Sequence, residues 1–180
     1  MKKSLIALAA IALFFVQNAS AQDGLTAQHT VSYNVPKVAL VDVEGKSISL
    51  ALVAPAEAGL GMEVSASDNS LWLNYSSTTD VKATNTISVK TDVLLPGMNL
   101  NVSASKYKGK GDGAQGQPTS TVTLSTKDQN IVDNIGTCYT GDGQGNGHNL
   151  TYSLSTTDYS LIKYTSTPTV ITVTYTITNN

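Results

Sequence analysis

The run Thr169-Val170-Ile171-Thr172-Val173-Thr174-Tyr175-Thr176-Ile177-Thr178 constrains this chain more than any other stretch. Side chains alternate across a β-strand, so Ile171, Val173, Tyr175 and Ile177 share one apolar face, opposite Val170 and four threonines. β-branched and aromatic residues fill the run, and no helical period competes. Such a strand needs hydrogen-bonding neighbours and a cover for its apolar side. The rest of the chain reads as that set of neighbours.

Leu25, Ala27, His29, Val31, Tyr33 and Val35 alternate with polar residues up to Pro36, which predicts a first strand or a sheet edge. Val38 to Val43 closes at Glu44-Gly45-Lys46, and Ile48, Leu50 and Leu52 carry the next strand. Further alternating runs centre on Val64, Leu71 to Tyr75, Ile87 to Val93, Leu100 to Ala104, Val122-Leu124, Ile131 to Tyr139 and Leu150 to Leu154. Turn signals such as Asp68-Asn69, Pro96-Gly97 and Lys127 to Asn130 separate them. About ten short strands at roughly ten-residue spacing predict an all-β fold, a single antiparallel β-sandwich of immunoglobulin-like or pilin-like kind. A closed β-barrel is the alternative.

Lys2 and Lys3, the apolar run from Leu5 to Val16 and Ala19-Ser20-Ala21 predict a secretory signal peptide over residues 1–21, cut before Gln22. The expected destination is secreted, periplasmic or cell-surface. Residues 22–180 then form the single domain, and no later run is long and apolar enough to span a membrane. Without Lys2 and Lys3, nine lysines stand against 13 acidic residues, with no arginine, for a net charge of −4. That balance disfavours a nucleic-acid partner. Cys138 is the single cysteine, so the fold holds without an intrachain disulfide. It reads as a small buried residue or as a thiol open to a partner chain.

The candidate motifs carry little chemistry. Gly111-Asp112-Gly113-Ala114-Gln115-Gly116 fits a dinucleotide fingerprint, but Pro118 and a Ser/Thr-rich strand follow where a helix should start. Asp142-Gly143-Gln144-Gly145-Asn146-Gly147 resembles the first half of a calcium loop, with Ser153 where the closing carboxylate belongs. His29 and His148 lack zinc-site spacing, and no nucleophile elbow occurs. No catalytic residue, metal or cofactor is therefore expected. Trp72, between Leu71 and Leu73, suits either the core or a sugar-stacking platform. Tyr107 and Tyr139 abut the two glycine loops and, with His148, form the candidate ligand or partner surface.

Ile135-Gly136-Thr137-Cys138-Tyr139-Thr140-Gly141, Leu150-Thr151-Tyr152 and Val173-Thr174-Tyr175-Thr176-Ile177, in a Thr/Ser/Val-rich chain with a signal peptide, resemble secreted bacterial pilin-like domains of the spore-coat-U and archaic chaperone–usher kinds. Leu71-Trp72-Leu73-Asn74 is similar to cell-wall WxL domains, with Asn74 where a leucine is expected. The resemblance implies a non-enzymatic structural or adhesion protein, a self-associating subunit whose partners are itself or other surface proteins. Leu25, Val31, Tyr33 and Val35 would then mark a donor strand for an exposed sheet edge, as against an ordinary first strand of its own domain. The competing expectation is a carbohydrate- or protein-binding module with glycans as ligands.

Overall fold

The computed structural model describes residues 25–178, so the expected signal peptide lies outside the described residues. The chain divides into two units, residues 1–34 and 35–180. In the first, residues 25–34 form no strand and are all exposed, Leu25, Val31 and Tyr33 included. The expected ordinary first strand is thus absent. Alternation makes the segment two-sided, but a strand exists only where a neighbour takes up its backbone bonds.

The second unit carries all 13 described strands: β1 (Ala39–Glu44), β2 (Leu52–Val53), β3 (Glu63–Val64), β4 (Asp68–Ser77), β5 (Asn85–Thr91), β6 (Met98–Ala104), β7 (Asp112–Gly113), β8 (Gln117–Pro118), β9 (Val122–Thr123), β10 (Gln129–Ile135), β11 (Cys138–Tyr139), β12 (His148–Thr156) and β13 (Val173–Ile177). Among the described residues the single helical element is one 3-10 turn, Tyr159–Leu161. Every pairing is antiparallel. A seven-stranded sheet and a four-stranded sheet, β13-β5-β10-β8, form a sandwich, with β2-β3 as a separate hairpin. No barrel closes.

The larger sheet is built around β4. Ser76 and Ser77 pair with both β1 and β11, while Trp72 and Leu73 pair with both β1 and β12. A residue pairs with two strands only through opposite edges, so β1 lies on one side of β4, and β11 and β12 share the other. Beyond them, β11 carries β7, and β12 carries β6 and then β9.

Between the sheets lie Leu73, Tyr75, Ile87, Val89, Val102, Ile131, Val132, Ile135, Leu150 and Tyr152, all nearly or fully buried. Fully burying each aliphatic side chain contributes about 1.5–3 kcal/mol. β10 supplies three of these because its register with β5 shifts twice. Asn134, in left-handed conformation at φ 58°, takes up the second shift, a backbone state asparagine tolerates. The expected closing strand is present: Val173, Tyr175 and Ile177 pack against the core, each half-buried.

Two polar bonds tie the sheets together. Tyr152 and Tyr175 hydroxyls lie 2.6 Å apart, joining β12 to β13. Asn85 Nδ2 donates to Ser77 Oγ at 3.0 Å, joining β5 to β4. Burial raises the pKa of both tyrosines, so each hydroxyl stays neutral. Tyr152→Phe and Tyr175→Phe should each lower stability by about 1 kcal/mol. The double variant should cost less than the two together, since neither hydroxyl is then stranded; chemical denaturation of all three variants measures this.

Candidate functional site

The loop-bearing end of the sandwich is organised from inside. His148 opens β12 and is fully buried. Its Nδ1 lies 2.7 Å from the Ser105 carbonyl, which only accepts, so Nδ1 carries the proton. Nε2 then accepts from the Tyr75 hydroxyl at 2.8 Å, and that hydroxyl accepts from the Gly116 amide at 3.1 Å. The Tyr75 ring stacks on the imidazole, and the Tyr107 ring meets it edge-on. Tyr107 donates its hydroxyl proton to Thr140 O and accepts from Gly111 N at 2.6 Å.

His148 and Tyr107 therefore do not form the expected ligand surface. His148 is interior and Tyr107 is half-buried, because each bonds backbone that would otherwise lie buried and unpaired. Sequence spacing gave no sign of this, since Tyr75, Tyr107 and His148 come from three distant runs.

The same staple holds both glycine loops against β4 and β11. A Cβ at Gly111 would run into Tyr139 O, and one at Gly147, where φ is +83°, into Leu73 O. Asn146 bridges the two loops, accepting from Lys110 N at 3.1 Å and donating to Asp142 O at 2.6 Å. The Gly111–Gly116 segment contributes β7, a strand, rather than the turn before a helix that a dinucleotide requires. Among the described residues, no three His, Cys, Asp or Glu side chains gather as metal ligands.

Tyr139 alone of the three expected residues stands outside, half exposed. Leu73, Tyr75 and Ser77 point inward from β4, so Trp72, Asn74 and Ser76 point outward. Trp72 is accordingly half-buried on the outer face, opposite Glu44 and Asn149, and does not belong to the core cluster. Register places Leu40 and Tyr139 on either side of Ser76, with Asp42 opposite Asn74. Together with Asp142 these residues line a cavity of about 310 Å³.

Two features of this cavity concern its chemistry. Asp42 and Asp142 make the rim acidic, and partial desolvation, then their charges, raises the neighbouring Glu44 carboxyl above its usual range. Asn74, 5% exposed, donates through Nδ2 to Gly143 O at 3.1 Å, while its Oδ1 is buried without a donor. A buried acceptor left unpaired costs about 1–3 kcal/mol. Asn74, Asp42, Ser76 and Leu40 were missed by sequence reasoning. Their signal was present in the outward phase of β1 and β4, but only the register brings the two phases together.

Cys138 is buried, and burial raises its thiol to about 11. A thiol-alkylating reagent should label it slowly in the native protein and completely in denaturant. Burial lowers the His148 pKa below 6.5, outweighing the opposing Ser105 bond. The unfolded chain therefore binds the proton more readily, so the stability carried by neutral His148 is complete above pH 6.5 and is lost as pH falls through the native value. Melting temperatures measured between about pH 7.5 and pH 5 should fall for the parent and flatten for His148→Gln, at a lower plateau. Compared with family models, curated proteins and solved structures, the chain matches none.

Proposed function

We propose that this chain is an exported, non-enzymatic surface subunit that self-associates by adding its segment Leu25–Val35 to a sheet edge of another copy. The observation that carries the reading is the pairing state of that segment. Residues 25–37 are all exposed, and Leu25, Val31, Tyr33 and Val35 are large apolar side chains in water. Docked as a strand, the segment would bury one face and satisfy its backbone at once. The leader pattern of residues 1–21 supports export.

The receiving edge in this reading is β13. Thr178 N donates to Thr86 O and Asp92 N to Thr172 O, so the even-numbered residues bond toward β5. The backbone groups of Val173, Tyr175 and Ile177 then face the other way, where no described strand pairs with them. β1, the outer strand of the other sheet on that side, approaches β13 without a ladder between them. Its own edge is partly blunted, since Val43 N donates to Asp42 Oδ1 at 2.8 Å.

Light scattering of the protein at rising concentration should show dimers and longer species. Val31→Asp with Tyr33→Asp should hold it monomeric with an unchanged melting temperature. A parent that stays monomeric at high concentration would remove the proposal.

A further inference from the structure

The cavity over Asn74 has no part in the assembly reading, yet it has the composition of a binding site. Its walls are Leu40, 66% exposed, and Tyr139, 52% exposed, and its floor is Ser76 and Asn74. Asp42 and Asp142 stand at its rim, and no lysine lines it. We infer that this cavity is a saccharide site, taking a neutral pyranose ring against Tyr139 and accepting its hydroxyl protons at Asp42 and Asp142.

The ligand class follows from what the cavity supplies. Its two charged side chains, Asp42 and Asp142, are both carboxylates, which only accept, and no basic side chain lines it. A ligand rich in O–H donors matches that excess of acceptors. Anionic sugars are disfavoured, because Asp42 and Asp142 already repel the Glu44 carboxyl. A bare metal ion is disfavoured too, since no three metal-ligating side chains gather among the described residues.

A cationic peptide side chain would also meet the carboxylates. Leu40 and Tyr139, however, wall the cavity with apolar surface that a compact, strongly hydrated ammonium does not match. The apolar walls favour a ligand with an apolar face, and a pyranose presents its C–H groups on one side and its hydroxyls around the edge. The glycine loop sets the cavity's depth. Gly143 O holds the Asn74 amide at 3.1 Å, and the loop carries no side chain at positions 141, 143, 145 and 147 to fill the space.

Amide chemical shifts of the full chain decide the matter, titrated separately with methyl glucoside, methyl mannoside, methyl galactoside, N-acetylglucosamine, N-acetylneuraminic acid and the peptide Gly-Lys-Gly. At least one neutral sugar should shift Ser76, Tyr139 and residues 141–143, while N-acetylneuraminic acid should not. Tyr139→Ala should weaken that binding about tenfold or more, the loss of roughly 1.4 kcal/mol, and Asp142→Asn should weaken it several-fold. Both side chains are exposed, so melting temperatures should be unchanged. Absence of shifts with every neutral sugar, equal binding by Tyr139→Ala, or response to Gly-Lys-Gly alone would overturn the inference. Light scattering on the same two variants keeps this outcome separate from the assembly reading, because neither residue belongs to the 25–35 segment or to β13.

Discussion

The Tyr75 hydroxyl belongs to a side chain buried in the sandwich, and the geometry around it fixes most of what surrounds the glycine loops. It has one proton to give and accepts the Gly116 amide, so its proton goes to His148 Nε2. His148 must then carry its own proton on Nδ1, which binds the Ser105 carbonyl after β6. One interior hydroxyl thus couples β4, the 109–117 loop, β12 and the end of β6. Protonating the imidazole would put a second donor against a hydroxyl that already receives one, within a low-dielectric interior.

This interior arrangement has an exterior result. Because the loops are pinned from below, the 141–147 loop covers Asn74 with backbone alone and leaves open space between Leu40 and Tyr139. The opposite condition holds at β13, where the apolar face is only half covered and one backbone edge lacks a described strand. Cover is complete where polar side chains reach into the sandwich, and incomplete where a β-strand alone would supply it. The Tyr152–Tyr175 bond keeps β13 docked to the core in spite of that exposure.

Much of the architecture was legible in the sequence wherever strong alternation coincides with burial. Ile87, Val89 and Thr91 all turn inward in β5, as do Leu150 and Tyr152 in β12 and Val173, Tyr175 and Ile177 in β13. The Leu25–Val35 run alternates as clearly, yet 25–34 contains no strand, because periodicity reports two-sidedness and is silent about partners. Ile48 to Leu52 yields only Leu52–Val53 as strand. The outer cavity was mostly hidden: Tyr139 was visible beside its loop, but Asp42 and Asn74 meet through a pairing between residues over 30 positions apart. Tyr107 and His148 were misread because aromatic residues beside glycine loops suit a surface and an interior staple equally well in sequence.

The ladder between β13 and β5 runs the whole length of the closing strand, and its bonds lie across the strand axis. Tension applied along β13 would therefore load these bonds together in shear, whereas a pull at right angles would peel them one after another. With no disulfide to share such a load, resistance to stretching in this molecule would depend on direction, and would be greatest for a force drawn lengthwise through Val173 to Ile177.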